Sequence, residues 1–314
     1  MQSDLTRRRF VGSAFTAVAA LSVGAVTLQG KVNLAQAVTN EYANPDLLMW
    51  VEELLPITQP DVDASRTIYD TLGIAVVDVR PAEAFYNGHI PGARHLDPNA
   101  VVASEAPVTG ALKPETELAA MIGELGIDAG TRVVLYDDRG GFHAARMFWL
   151  MEYLGHQNVS LLNGGLTAWS AAGGDLTPEA TGYAPRHFVP SAMPRRQATA
   201  DYLLRHQDDA ETVVVDVRPV AMYEDGHIPW AVNVPWALNL DENKLYWDAA
   251  TLEAHFAAHG VTPDRNVVIH CQVGLASSHS YVALRLLGYP RVRVYHRSWA
   301  EWSAGGDLPV GYGS

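Results

Sequence analysis

The sequence has 314 residues, of which 48% are hydrophobic and 18% are charged, so the chain is able to bury a substantial core. This length is typical of two domains, and the composition excludes a collagen-like chain, a disordered chain and a protein with many membrane spans. The formal net charge of −13 disfavours a nucleic-acid partner, because binding phosphates requires clustered lysine and arginine. The single cysteine, Cys271, excludes an internal disulfide, a paired-thiol redox motif and a zinc site built from several thiolates.

Residues 1–37 have the pattern of an export signal. A basic string, Thr-Arg-Arg-Arg-Phe-Val at 6–11, precedes an apolar run at 14–28, and Ala-Gln-Ala at 35–37 is a small-x-small cleavage pattern. The basic string resembles a twin-arginine signal, so we expect export of the folded protein to the periplasm and a mature chain that starts near Val38. An uncleaved single-span anchor is the alternative. After cleavage we expect no stable membrane association.

The chain contains an internal duplication. Val-Val-Asp-Val-Arg-Pro at 76–81 recurs at 214–219, and each copy is followed by Gly-His-Ile-Pro, at 88–91 and at 226–229. Because the repeat is as long as a whole domain, it predicts two similar domains rather than a solenoid. We place the N-terminal domain at 38–180, a proline-rich linker at 181–197 and the C-terminal domain at 198–314.

Each half alternates short β-branched runs with helical stretches. We predict strands at 75–79, 132–136 and 159–162 and helices at 115–125 and 144–154, then strands at 212–217, 266–270 and 292–295 and helices at 251–259 and 277–287. Apolar strands separated by helices predict α/β domains with parallel strands covered on both faces. Ligands of such sheets bind at the carboxyl ends of the strands, so the residues that follow each strand are the candidate site.

Cys271 directly follows the strand predicted at 266–270, and a helix is predicted to begin near Ser277. Gly274 is free to adopt a positive φ, which bends the short loop so that successive N–H groups form a nest for an anionic sulfur. The positive end of the following helix favours the same charge. The arrangement indicates a thiolate nucleophile. A small buried hydrophobic residue at a strand end is the alternative interpretation.

Both halves resemble the tandem-domain rhodaneses, which are thiosulfate and 3-mercaptopyruvate sulfurtransferases. The resemblance spans about 45–314 and depends on Asp-x-Arg-Pro, Gly-His-Ile-Pro, the strand that leads into Cys271, and Ser-Trp-x-x-Trp at 298–302. It implies two similar rhodanese-like α/β domains, each with a mainly parallel five-stranded sheet flanked by helices. It also implies a persulfide on Cys271, no metal or organic cofactor, a small sulfur donor such as thiosulfate, and a thiol or cyanide as acceptor.

The resemblance assigns roles to several positions. The catalytic residue is Cys271, and the active loop with its neighbour comprises Gln272, Val273, Gly274, Leu275, Ala276 and Ser277. Asp137 aligns with Cys271 in the first half, and a carboxylate cannot hold a persulfide, so the N-terminal domain is expected to be catalytically silent. Two pairs that recur in both halves are interpreted as structural ion pairs or loop clamps: Asp78 with Arg80, and Asp216 with Arg218.

The loop departs from both groups of enzymes in the family. The thiosulfate enzymes carry cationic side chains there and the 3-mercaptopyruvate enzymes carry small polar ones, whereas this loop has no charge. Met222 stands where an arginine is usual. Arg297 is a candidate to restore the positive charge from another direction, or is a surface residue. The donor therefore stays open between thiosulfate or a persulfide and 3-mercaptopyruvate.

Other functions compete with a sulfurtransferase. A periplasmic sulfur carrier would pass its persulfide to a sulfur-accepting protein, and a binding module would not use Cys271 at all. A cysteine-dependent phosphatase needs Cys-x5-Arg, but position 277 is serine. A metal site of Cys271, His270 and His279 matches no standard zinc spacing. We expect His270 to be packed rather than to act as a base, because adjacent strand residues point to opposite faces.

Overall fold

The computed structural model describes residues 41–58, 72–103 and 110–313. The predicted export signal and its cleavage site therefore lie outside the described residues. Within the described part of the chain, no helix has the length and apolar character needed to cross a membrane.

The first half folds into a five-stranded parallel sheet flanked by helices. Its elements are β1 (Leu48–Met49), α1 (Val51–Leu54), β2 (Ile74–Asp78), α2 (Ala82–Asn87), β3 (Arg94–His95), α3 (Glu115–Glu124), β4 (Arg132–Tyr136), α4 (Ala144–Tyr153), β5 (Val159–Leu162) and α5 (Gly165–Ala171). The strands lie in the order β1-β5-β4-β2-β3, and each pair is parallel. Every residue of β2 is buried, as expected for a sheet covered on both faces.

The second half repeats this plan. Its elements are α6 (Ala200–Arg205), β6 (Thr212–Asp216), α7 (Val220–Glu224), β7 (Ala231–Asn233), α8 (Ala249–Ala257), β8 (Asn266–His270), α9 (Leu275–Leu286), β9 (Val292–Val294) and α10 (Ser298–Trp302). The strands lie in the order β7-β6-β8-β9, and each pair is parallel. The two predicted domains with mainly parallel sheets are thereby confirmed.

The second sheet has four strands among the described residues, one fewer than predicted. Beside β9, where the first sheet has β1 next to β5, there is a single parallel bridge between Gln197 and Val294. The 3-10 turn Pro194–Arg196 ends just before this bridge, and Thr199 caps α6 just after it by accepting the Tyr202 N–H. The extended segment between the turn and the cap pairs with β9 through this one bridge and does not continue as a fifth strand.

Helices α4 and α9 lie between the two sheets and join the halves. One cluster of buried apolar side chains runs from the first sheet to the second through these helices and includes Leu135, Phe148, Tyr281 and Ile269. Both helices are buried on almost all sides, and they bury polar side chains together with the apolar ones, among them Arg146 and Glu152 of α4 and Ser277 to Ser280 of α9. Because each helix directly follows a central strand, its N-terminus lies at the carboxyl edge of the corresponding sheet, where the candidate site is.

Candidate active site

Cys271 is the first residue after β8, and three residues, 272–274, connect it to α9. Gly274 has a φ of 86° and is the N-cap of the helix. A Cβ at this position would lie 2.6 Å from the His296 ring and 2.7 Å from the His296 carbonyl oxygen. Glycine is therefore required both by the backbone conformation and by the lack of space.

Three polar groups surround the sulfur of Cys271. The Gly274 N–H donates to Sγ at 3.1 Å, and the hydroxyl oxygens of Ser277 and Ser298 lie 3.5 Å and 3.9 Å from it. The N-terminus of the 12-residue helix α9 faces the same atom. Hydrogen-bond donors and the positive end of a helix both favour an anionic sulfur over a neutral thiol.

The loop is shorter than predicted. Leu275, Ala276 and Ser277 form the first turn of α9 instead of continuing the loop, because Gly274 already turns the chain into the helix. Ser277 is brought to the sulfur by this turn. Arg297 forms an ion pair with Glu301, and its side chain is 45% exposed.

Cys271 itself is 2% exposed. The site lies where the two halves meet, since Arg146 of α4 contacts the loop and the Gly110 carbonyl oxygen lies 2.7 Å from Nδ1 of His296. The residue is therefore almost completely enclosed by protein atoms in this structure.

Ser298 lies at the site, whereas the sequence analysis quoted it only as part of the Ser-Trp-x-x-Trp motif and not as a site residue. Its Oγ accepts the Cys271 N–H at 3.1 Å and donates to the Tyr295 carbonyl oxygen at 2.8 Å. Its φ of 57° is unusual for a residue with a side chain and fixes the hydroxyl next to Cys271. The available signal was its position just after β9, the strand that pairs with β8, since neighbouring parallel strands end at the same edge.

Arg146 is a second residue that the sequence analysis missed. It lies in α4 of the first half, is 2% exposed, and donates from Nη2 to the Val273 carbonyl oxygen at 2.6 Å. Burial lowers the pKa of Arg146 to about 10, and the charge of Cys271 opposes that shift. An arginine inside an apolar helix of the silent half gave no sequence signal that it reaches the other half.

Asp137 takes the place of Cys271 in the first half, at the end of β4. Its buried carboxylate accepts hydrogen bonds from four backbone N–H groups, those of Arg139, Gly141, His143 and Ala144, at 2.8, 2.9, 2.6 and 3.1 Å. The first half thus has an anion nest of the same kind, filled by the protein's own carboxylate. This supports the prediction that the first half carries no sulfur.

The buried histidines of this region are held neutral. Burial lowers the pKa of His270 although Asp216 opposes it, lowers that of His279 to about 4, and, with the charge of Arg146, lowers that of His296 to about 3. His279 donates from Nε2 to the Gly140 carbonyl oxygen at 3.1 Å. No histidine ring of the described chain hydrogen-bonds to the sulfur, and the polar groups near it are the Gly274 N–H and the hydroxyls of Ser277 and Ser298.

Two buried ion pairs have the same geometry in both halves. Arg80 pairs with Asp78 at 2.6 Å and donates to the Gly88 carbonyl oxygen at 2.7 Å. Arg218 does the same with Asp216 and the Gly226 carbonyl oxygen, at 2.6 Å and 2.7 Å. Each pair ties the turn after its strand to the Gly-His-Ile-Pro segment. The silent half has the same pair, so this geometry fits the structural interpretation.

Two other features lie apart from this chemistry. No group of three or more histidine, cysteine, aspartate or glutamate side chains within the described ranges is placed to hold a metal ion. A surface cavity of about 630 Å³ is lined by Glu211, Asp264, Arg265 and Arg291, at the amino ends of β6, β8 and β9. It therefore lies at the edge of the sheet opposite to Cys271.

The fold and the site define a two-domain α/β protein in which one half places a cysteine sulfur at a helix N-terminus and the other half places a carboxylate in a nest of backbone N–H groups. Residues 62–172 and 199–305 each match the rhodanese-like domain. The chain belongs to the rhodanese-like family, as its sequence motifs predicted.

Relatives cover most of the chain. The thiosulfate sulfurtransferase of Azotobacter vinelandii is 36% identical over 245 residues, which are 76% of this chain and 90% of that protein. The sulfur carrier protein TtuD of Thermus thermophilus is 33% identical over 299 residues, or 87% of this chain and 99% of that protein. The crystal structure of SseA from Escherichia coli, a 3-mercaptopyruvate sulfotransferase, superposes with a TM-score of 0.72 and 26% identity over 81% of this chain and 98% of that one.

Proposed function

We propose that the protein moves a sulfane sulfur from thiosulfate or a related donor to a thiophilic acceptor through a persulfide on Cys271. The protein is a sulfurtransferase by its family and its relatives. The observation that carries the role of Cys271 is the approach of the Gly274 N–H to its sulfur at 3.1 Å and of the Ser277 hydroxyl at 3.5 Å, at the N-terminus of α9. These groups stabilise the negative charge that the sulfur bears both as a thiolate and as a persulfide.

The reaction is a double displacement. The Cys271 thiolate attacks the outer sulfur of thiosulfate, a new S–S bond forms, and the S–S bond of the donor breaks so that sulfite leaves with the electron pair. A thiol or cyanide then attacks the outer sulfur of the persulfide. The electron pair of that S–S bond returns to Cys271 as a thiolate, so neither step needs a metal or a redox cofactor.

Intact mass spectrometry tests the role of Cys271. Incubation with thiosulfate is expected to add one sulfur atom to the protein, and cyanide is expected to remove it. Cys271→Ser is expected to remain unmodified with every donor and to have no measurable turnover. An unmodified native protein after incubation with thiosulfate, 3-mercaptopyruvate and a low-molecular-weight persulfide would refute the proposal.

The charges around the site bear on the choice of donor. The loop residues 272–274 are uncharged, and Met222 on α7 is 41% exposed at the carboxyl edge of β6, the strand that pairs with β8. A small dianion therefore lacks an exposed positive side chain at position 222, and these charges do not favour thiosulfate over 3-mercaptopyruvate. We place thiosulfate or a persulfide ahead because thiosulfate sulfurtransferases match this chain at 36% and 34% identity, against 33% for the two E. coli 3-mercaptopyruvate sulfurtransferases.

Met222→Arg is expected to improve the use of anionic donors. A positive charge at this edge of the sheet attracts thiosulfate, and we expect kcat/KM to rise by about tenfold, mostly through a lower KM. Met222→Gln has a similar length without the charge and is the control. Steady-state kinetics with thiosulfate measures both variants, and equal kinetics for Met222→Arg and the native protein would contradict this explanation of position 222.

A sulfur carrier is the second candidate function. It is favoured by the similarity to TtuD along almost the entire length of that protein and by the uncharged loop. The mass experiment distinguishes the two functions, because a carrier loads one sulfur atom but turns over slowly with cyanide or small thiols. In that case the acceptor would be a protein with an accessible thiol or thiocarboxylate.

We further propose that the protein is exported through the twin-arginine pathway to the periplasm. The support is the sequence of residues 1–37 alone. The same intact-mass measurement, made on protein recovered from the periplasmic fraction, shows whether residues 1–37 have been removed. Protein of full mass that is found only in the cytoplasm would exclude export.

A further inference from the structure

Arg146 is a buried cation without a carboxylate partner. Among residues 41–58, 72–103 and 110–313, three of the other four buried arginines, Arg80, Arg196 and Arg218, lie within ion-pair distance of a carboxylate, whereas Arg146 does not. Its described hydrogen bonds go to two carbonyl oxygens, those of Pro98 at 3.4 Å and Val273 at 2.6 Å. Its Nε is buried and has no hydrogen-bond partner.

A buried guanidinium needs a negative charge nearby, because taking a lone cation out of water is costly. The sulfur of Cys271 belongs to the same loop, two residues before the carbonyl group that Arg146 contacts. The charge of Cys271 also acts to raise the pKa of Arg146, against the effect of burial. We propose that Arg146, in the catalytically silent half, is the counter-ion of the Cys271 sulfur and holds both its thiolate and its persulfide in the anionic form.

This inference rests on the proposed persulfide cycle and follows from its charge balance. The thiolate carries one negative charge before it attacks the donor. After the S–S bond of the donor breaks and sulfite leaves, the outer sulfur of the persulfide carries one negative charge again. One fixed cation therefore serves every state of the enzyme. A loop without charged side chains is sufficient because the cation comes from the other half.

Arg146 also positions the loop through its hydrogen bond to Val273, so the test must separate charge from position. Arg146→Gln keeps an N–H donor for the Val273 carbonyl oxygen and removes the charge. Arg146→Lys keeps the charge and loses the planar geometry. Arg132→Gln changes the net charge by the same amount at the amino end of β4, on the opposite edge of the sheet, and is the matched control.

The measurement is the rate at which iodoacetamide alkylates Cys271 at pH 7, followed by intact mass, together with the half-life of the persulfide. We expect Arg146→Gln to slow alkylation by about tenfold or more and to shorten the persulfide half-life, because one unit of charge is lost beside the sulfur. Arg146→Lys should stay within about threefold of the native rate, and Arg132→Gln should not differ from it. A native rate for Arg146→Gln, or equal losses for the glutamine and lysine variants, would overturn the inference.

A measurement on the native protein covers the case in which Arg146→Gln does not fold. The ¹⁵N–¹H resonance of the Arg146 Nε group is expected to shift when thiosulfate converts Cys271 to the persulfide and to return when cyanide removes the sulfur. If mass spectrometry shows the added sulfur atom and the resonance is unchanged, the inference about Arg146 is overturned and the proposed function is not. A native protein that never gains a sulfur atom would instead refute the proposed function.

Discussion

Replacing Asp137 by alanine is expected to lower the free energy of unfolding by about 3–5 kcal/mol, a large part of the stability of an ordinary domain. The fully buried carboxylate of Asp137 accepts hydrogen bonds from four backbone N–H groups in the turn between β4 and α4. Alanine would leave these donors without partners inside the protein. It would also remove the negative charge that stabilises the N-terminus of α4. Chemical denaturation followed by circular dichroism measures the loss.

Asp138 provides the control for this prediction, since it is the adjacent aspartate and its side chain is exposed. Asp138→Ala is expected to change the stability by less than about 0.5 kcal/mol. The stability of Asp137→Asn should lie between those of the two alanine variants. Its amide oxygen still accepts hydrogen bonds, but its NH₂ group faces the remaining backbone N–H donors. Equal stabilities for Asp137→Ala and Asp138→Ala would show that the nest does not need an anion.

The residues that follow the two central strands account for the proposed difference between the halves. Asp137 follows β4 and Cys271 follows β8, each before the helix that comes next. The Asp137 carboxylate accepts four backbone N–H hydrogen bonds with its own two oxygens. In the proposed mechanism the Cys271 sulfur occupies the corresponding position and carries the second sulfur atom. The first half would then contribute to the reaction through the charge of Arg146.

The repeat and the strand pattern of the sequence were sufficient to predict the fold of the two domains. The strands predicted at 132–136, 159–162 and 266–270 coincide with β4, β5 and β8, and the helices predicted at 144–154 and 277–287 differ from α4 and α9 by at most two residues. These segments are long apolar runs with clear turn residues between them. The missing fifth strand depends instead on how far the segment before α6 pairs with β9, where a single bridge forms, and apolar periodicity does not show this.

The sequence predicted only those site residues that lie close to Cys271 along the chain. Cys271 and Gly274 follow one strand directly, and the sequence indicated both of them. Ser298 and Arg146 reach the site from β9 and from the other half, so only the tertiary structure places them there. Ser298 in addition adopts a positive φ that no residue preference predicts.

Glu152→Gln is expected to lower the free energy of unfolding by about 3 kcal/mol at neutral pH, because it breaks a buried charge network between the halves. Glu152 of α4 accepts two hydrogen bonds from Arg285 of α9, at 3.1 and 3.0 Å, and a further one from the Tyr281 hydroxyl. Its carboxylate also lies 3.7 Å from the Arg196 guanidinium. Glutamine would leave two partly buried arginines without a counter-charge. Urea denaturation of the native protein and the variant measures the difference.

The pH dependence of that difference has a defined sign. Burial acts to raise the pKa of Glu152, but the hydrogen bonds and charges of Arg285, Arg196 and Tyr281 outweigh it and hold the pKa below the ordinary value of 4.5. The unfolded chain therefore takes up the proton first. The stabilisation is complete above pH 4.5 and is lost as the pH falls through the lower pKa of the folded state. The native and Glu152→Gln proteins should thus converge in stability in acid.

Glu115→Gln is the control, because it removes an exposed carboxylate that is hydrogen-bonded to Tyr153. It should lower the free energy of unfolding by less than about 1 kcal/mol at any pH. If the difference for Glu152→Gln stayed constant down to pH 3, the ionised carboxylate would not be what joins α4 to α9.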